Sequence, residues 1–183
     1  SPSVTDETTV PAAVQTLPQA LREPTAQILA EVLQNPDLAR RSGRGQWLAA
    51  APRVLAASEF AADLCRAHPQ RLIELLDSGR LETAQDPSAI AATVRSGLSE
   101  LADETALREA LRQLRQREML RIAWRDLAGW ADLDETLTAL SALKRPTVDA
   151  LAHLKKWADE KTIKELTLTD ADRLKVLLTD CKA

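Results

Sequence analysis

Residues 104–128 read ETALREALRQLRQREMLRIAWRDLA, a run with no proline and no glycine. Leu107, Leu111, Leu114, Ile122 and Leu127 recur in it at helical intervals. Without a breaker, one helix continues through the whole stretch, close to 40 Å at ~1.5 Å per residue. Gly129 ends or pauses it. A helix of that length predicts an all-α fold: a helical bundle with a long central helix over about 104–128 and short flanking helices.

Composition points the same way. Ala and Leu are abundant, and only 3% of residues are aromatic: four Trp, one Phe and no Tyr. That bias favours helices over sheets. Upstream, Pro24-Thr25 precedes a helix over about 25–34, on which Ile28, Leu29, Val32 and Leu33 share a face. Asn35-Pro36 breaks the chain, and Pro52 kinks or restarts the next helix, around Trp47, Leu48, Val54 and Leu55. Ser58 caps a helix with Phe60, Leu64 and Cys65 on one face, ended by Pro69. A partner helix carrying Leu72, Ile73, Leu75 and Leu76 stops at Gly79. Residues 87–101 form a helix with a narrow stripe of Ile90, Val94, Leu98 and Leu101.

Downstream, Asp134 and Glu135 favour the start of a shorter helix, LDETLTALSAL. Pro146-Thr147 then opens another, and Thr169 or Asp170 caps a last one through Leu178. No period makes the chain a helical repeat array.

Residues 1–10 are polar and unpatterned, as in a disordered terminus. Residues 1–143 contain 15 Arg and no Lys, whereas 144–183 contain all 7 Lys and 2 Arg. This shift predicts a helical domain over 11–143 and a lysine-rich helical tail over 144–183, to be read either as one natural domain with a solvated tail or, as we expect, as a truncated or chimeric protein whose tail has a separate origin.

With 45% hydrophobic and 28% charged residues, the composition is that of a globular protein. No apolar run reaches the ~18–20 residues that span a bilayer, and SPSVTDETTV lacks the regions of a signal peptide. We therefore expect a cytoplasmic protein without membrane contact. A net charge of −3 argues against broad nucleic-acid binding, so a protein partner is expected. Two cysteines and two histidines assemble no disulfide framework and no zinc site. Cys65 reads as buried and inert, Cys181 as exposed, and His68 as a helix-end residue. The four tryptophans are too dispersed for a stacking platform and read as core or core-edge residues.

Metal-dependent nucleotidyl transfer needs a glycine-containing loop and paired carboxylates around two Mg²⁺ ions. The Asp-x-Asp pairs, Asp132-Leu133-Asp134 and Asp170-Ala171-Asp172, each lie at a predicted helix start, where capping explains them. No residue is assigned a catalytic or metal-binding role. Arg117, Arg121 and Arg125 fall at i, i+4 and i+8, a basic ridge able to receive a phosphate or an acidic partner surface. The alternative is an exposed face paired locally, as by Glu118 with Arg121 and Arg121 with Asp126.

The stretches LRQLRQREMLRIAWRDLAGWADLDETLTALSAL (111–143) and ASEFAADLCRAHPQRLIELLDSG (57–79) resemble the amino-terminal region of the bifunctional glutamine synthetase adenylyltransferase/adenylyl-removing enzymes. The resemblance covers about residues 15–143, and KRPTVDALAHLKKWADEK beyond it does not share it. It implies a bacterial family that transfers AMP from ATP to a tyrosine of glutamine synthetase and removes it phosphorolytically, under control by glutamine and the PII signalling protein. It also implies ATP and Mg²⁺ for the intact enzyme, but its glycine loop and aspartates match no residue here. The expected role is a non-catalytic helical portion that meets the catalytic remainder, glutamine synthetase or PII. The alternative is a self-standing all-α interaction module.

Overall fold

The computed structural model describes residues 12–99 and 103–160, which form nine helices and no strand. They divide into two compact units, one of residues 12–84 with 116–136 and the other of 85–115 with 137–160.

In the first unit, α1 (Ala12–Gln15) and α2 (Gln19–Leu33) precede a single turn, α3 (Pro36–Ala39). Asn35 and Pro36 start that turn instead of merely breaking the chain: Asn35 Oδ1 accepts from the amides of Asp37 at 2.9 Å and Leu38 at 3.2 Å. The helix expected over about 25–34 begins at Gln19, and Pro24 lies inside it. One lost backbone bond there is outweighed by the buried face of Thr25, Leu29 and Val32.

Pro52 likewise lies within α4 (Trp47–Ala57), buried between Ala51 and Val54, and the helix does not restart. Glu82 Oε1 closes the start of α4 from far along the chain, accepting from the amides of Gln46 at 2.6 Å and Trp47 at 3.1 Å. Helix α4 packs against α1, α2 and α5 (Glu59–Ala67). The start of α5 is capped by Ser58, whose Oγ accepts from Ala61 N at 3.1 Å. On α5 the buried side chains are Ala61, Ala62, Leu64 and Cys65, while Phe60 is exposed. At about 100° per residue Phe60 falls some 40° beyond Leu64, past the edge of the buried arc.

Helix α6 (Gln70–Asp77) ends at Gly79, whose φ of +71° turns the chain so that Arg80 N reaches back to Leu75 O at 3.1 Å. The second half of α8 (Glu104–Leu127) completes the core with Leu120 and Trp124. The rings of Trp47 and Trp124 lie 6.3 Å apart and tilted, near the middle of a cluster that includes Leu38, Leu72 and Leu75. Gly129, at φ +75°, closes α8 in the same way as Gly79 closes α6.

The second unit holds α7 (Pro87–Ser99), the first half of α8 and most of α9 (Leu133–Glu160). Asp86 starts α7, accepting from the Ser88 amide and hydroxyl, bonds that hold its carboxyl below the usual value. Its buried side chains, among those described, are Ile90, Ala91, Leu107, Ala139 and Ala142.

Helix α8 matches the expected long helix, but its two halves belong to different units and α9 is longer. Helix α9 also runs unbroken across 143/144 and through Pro146, where a new helix was expected. Leu140 and Leu151 are eleven residues apart, as are Leu143 and Leu154, so the apolar stripe keeps its phase past the proline. The expected polar terminus (1–10), the last helix near 169–178 and Cys181 lie outside the described residues.

Candidate functional site

The first unit carries a connected network of arginines and glutamates. Arg71 and Glu74 stand on α6, Arg80 follows Gly79, and Arg117, Glu118 and Arg121 stand on α8. Arg71 Nη1 donates to Glu74 Oε1 at 2.8 Å, and Arg117 Nη1 donates to Glu74 Oε2 at 3.3 Å. Glu118, 1% exposed, is met by Arg121 Nε at 3.0 Å, Arg80 Nη2 at 2.6 Å and Arg117 Nε at 3.8 Å. Only the first of these is aligned as a hydrogen bond: Arg80 Nη2 and Arg117 Nε approach Glu118 Oε1 as charges without donating to it along its lone pairs.

Arg125 forms a separate clamp. Its Nε donates to Glu135 Oε1 at 2.8 Å, Nη1 to Leu81 O at 3.2 Å, and Nη2 to Trp130 O at 3.3 Å. It is buried, and it ties the loop after α6, the turn after α8 and the start of α9 together. A third pair, Arg41 with Asp77, is bidentate at 2.7 Å on both bonds. These bonds hold the Asp77 carboxyl below its ordinary value and raise Arg41.

The helical spacing brings Arg117, Arg121 and Arg125 to one side of α8, and that side is turned inward. Arg121 and Arg125 are buried and Arg117 is half-buried. The predicted pair of Glu118 with Arg121 is present, but as a buried contact and not on an exposed face. Asp126 instead accepts from the Thr136 hydroxyl at 3.0 Å.

Asp132 of the first Asp-x-Asp pair caps α9, its Oδ1 accepting from Glu135 N at 2.8 Å. His68 stands at the C-terminal end of α5. Cys65 is buried, and burial pushes its thiol up to about 12. Trp47 and Trp124 are core residues, and Trp130 lies at the core edge. Among the described residues, no group of three or more His, Cys, Asp or Glu is arranged to hold a metal ion, and no helix is long and apolar enough to cross a membrane.

Residues 48–176 match the family model for glutamate-ammonia ligase adenylyltransferase, most of the chain. The chain belongs to this family. It is 44% identical over 108 residues to the bifunctional glutamine synthetase adenylyltransferase/adenylyl-removing enzyme of Nitrosococcus oceani, covering 58% of this chain and 11% of that protein. The enzyme of the same description from Thioalkalivibrio sulfidiphilus is 41% identical over 141 residues, 70% of this chain and 14% of the relative. That from Pseudomonas aeruginosa is 40% identical over 97 residues, 53% and 10%. The chain therefore spans only about a tenth to a seventh of the length of these relatives. No solved structure matches it.

The adenylyltransferase match reaches residue 176, so the family likeness does not stop at Leu143 but extends into the lysine-rich segment, contrary to expectation. The change from arginine to lysine at 143/144 is a change in composition that both the match and helix α9 cross. Within the arginine network, sequence reasoning missed Arg71, Glu74 and Arg80. The i, i+3 spacing of Arg71 and Glu74 was a readable signal for one pair, but nothing local ties Arg117 to Glu74, 43 residues away.

Proposed function

We propose that the chain is the helical amino-terminal portion of a bacterial, cytoplasmic glutamine synthetase adenylyltransferase/adenylyl-removing enzyme, and that it supports the catalytic remainder without itself transferring AMP. The observation that carries this reading is the family match over 48–176, in a chain spanning so small a share of its relatives. The capping duty of Asp132 agrees with it, since that carboxylate serves a helix start. ATP and Mg²⁺ would then belong to the intact enzyme. Glutamine synthetase and PII would be partners of the whole assembly, with the catalytic remainder the direct partner of these helices.

The test is to mix the 183-residue chain with a relative's enzyme that lacks the matched segment, and to follow association by size-exclusion chromatography with light scattering. A one-to-one complex is the expected result, together with no AMP incorporation into glutamine synthetase when the chain is incubated alone with ATP and Mg²⁺. No association, or AMP transfer by the chain alone, overturns the proposal.

A further inference from the structure

The network on α6 and α8 has more positive charge than it can pair. Four guanidinium groups, Arg71, Arg80, Arg117 and Arg121, face two carboxylates, Glu74 and Glu118, leaving an excess of two positive charges in a protein whose net charge is −3. Each of the four arginines also has a buried nitrogen without an aligned acceptor among the described residues: Arg71 Nε, Arg80 Nη2, Arg117 Nε and Arg121 Nη2. Arg121 is the sharpest case, for its side chain is only 1% exposed.

Burying a cation is costly unless its hydrogens find acceptors. Arg80 Nη2 and Arg117 Nε at least lie beside Glu118 Oε1, so it is Arg71 Nε and Arg121 Nη2, buried with no hydrogen-bond acceptor among the described residues, that mark a place short of negative charge. Glu118 cannot supply it alone, because its single negative charge is already shared by Arg80, Arg117 and Arg121. The cluster is not sealed: Glu74 and Arg117 keep 40% and 24% of their side chains in solvent, which leaves an approach from that edge.

We propose that Arg71, Arg80, Arg117 and Arg121 form a binding site for a dianionic oxyanion, whose two negative charges match the excess and whose several oxygens match the forked donors. The site stands on the ion network and does not depend on the functional reading above. A phosphate group and a dicarboxylate share this chemistry, and the experiment separates them.

The experiment is thermal unfolding of the whole 183-residue chain with increasing phosphate, malonate or chloride at constant ionic strength. A ligand of the folded state raises Tm with a saturable dependence, whereas screening alone depends only on ionic strength. We expect saturation with phosphate or with malonate and none with chloride; whichever saturates at the lower concentration identifies the source. Identical behaviour of all three ions overturns the proposal.

Two edge variants test the location with opposite signs. Arg71→Gln removes one cation and should weaken the midpoint about tenfold, the worth of one charge-assisted hydrogen bond. Glu74→Gln increases the excess and should tighten it. Arg40→Gln, an exposed arginine of the same unit outside the network, should leave it unchanged. A tighter midpoint in Glu74→Gln cannot come from damage to the fold, so the pair remains decisive even if Arg71→Gln is destabilised. Saturation that neither variant moves places the ion elsewhere and overturns the assignment.

Discussion

The two units are built from the same kind of helix but hold themselves together differently. In the first, large side chains fill the interior: Trp47 against Trp124, with Leu29, Leu38, Leu72, Leu75, Leu81 and Leu120 around them, and ionised residues are buried beside them. In the second, three of the five described buried side chains are alanines, with Ile90 and Leu107 the larger ones, and one of its ion pairs, Arg112 with Glu109, is exposed. The difference teaches where single substitutions bite. A buried charge partner is costly to remove because it strands what it neutralised, while an exposed one gives its place to water.

The largest expected effect breaks or confirms that contrast directly. Glu118→Ala leaves Arg80, Arg117 and Arg121 without their shared carboxylate and should destabilise the first unit by about 3–5 kcal/mol. Arg112→Ala, in the second unit, should cost less than ~1 kcal/mol. Urea unfolding of both variants measures the pair. Equal losses would mean that the depth of the ion pair does not set its worth here.

A smaller effect sharpens the comparison by reporting on the first unit alone. Cys65 is held there as a neutral thiol, its pKa raised from an ordinary 9.0 to about 12 by burial. A raised acid contributes stability that is complete below pH 9 and is lost as pH climbs from about 9 to 12, at about 1.4 kcal/mol per pH unit. The stability of the first unit should therefore fall more steeply between pH 8.5 and 10.5 in the parent chain than in Cys65→Ala. Parallel slopes would show that the thiol ionises without opening the core.

What was legible in the sequence follows from the range of each interaction. Ser58, Gly79, Gly129 and Asp132 mark helix ends through bonds to residues a few positions away, and the structure uses all four as helix punctuation. The prolines misled, because their local cost favours a helix start near Pro24 and Pro146 and a kink or restart at Pro52, whereas each lies inside a longer helix. Arg121 and Arg125 looked like surface for a related reason. Their burial depends on acceptors brought in by the fold, such as Leu81 O and Glu135 for Arg125, and periodicity on one helix cannot show these. Glu82 over the start of α4 is equally nonlocal.

The smallest effect asks whether there are two units in solution as well as in shape. Ser58 Oγ caps α5 in the first unit at 3.1 Å, and Asp103 Oδ1 caps α8 in the second, accepting from Ala106 N at 2.7 Å. Each is one side-chain oxygen satisfying one free amide of a first turn, so Ser58→Ala and Asp103→Ala should each cost about 1 kcal/mol. Equal local losses make the pair informative, because any difference in outcome then reflects how far each loss spreads. If the units open separately, hydrogen exchange should quicken in α4 and α5 for Ser58→Ala and in α7 for Asp103→Ala, with the other unit's protection unchanged. If either substitution lowers protection across both sets of helices by the same amount, α8 couples the units into one cooperative structure, and the contrast between them is one of composition alone.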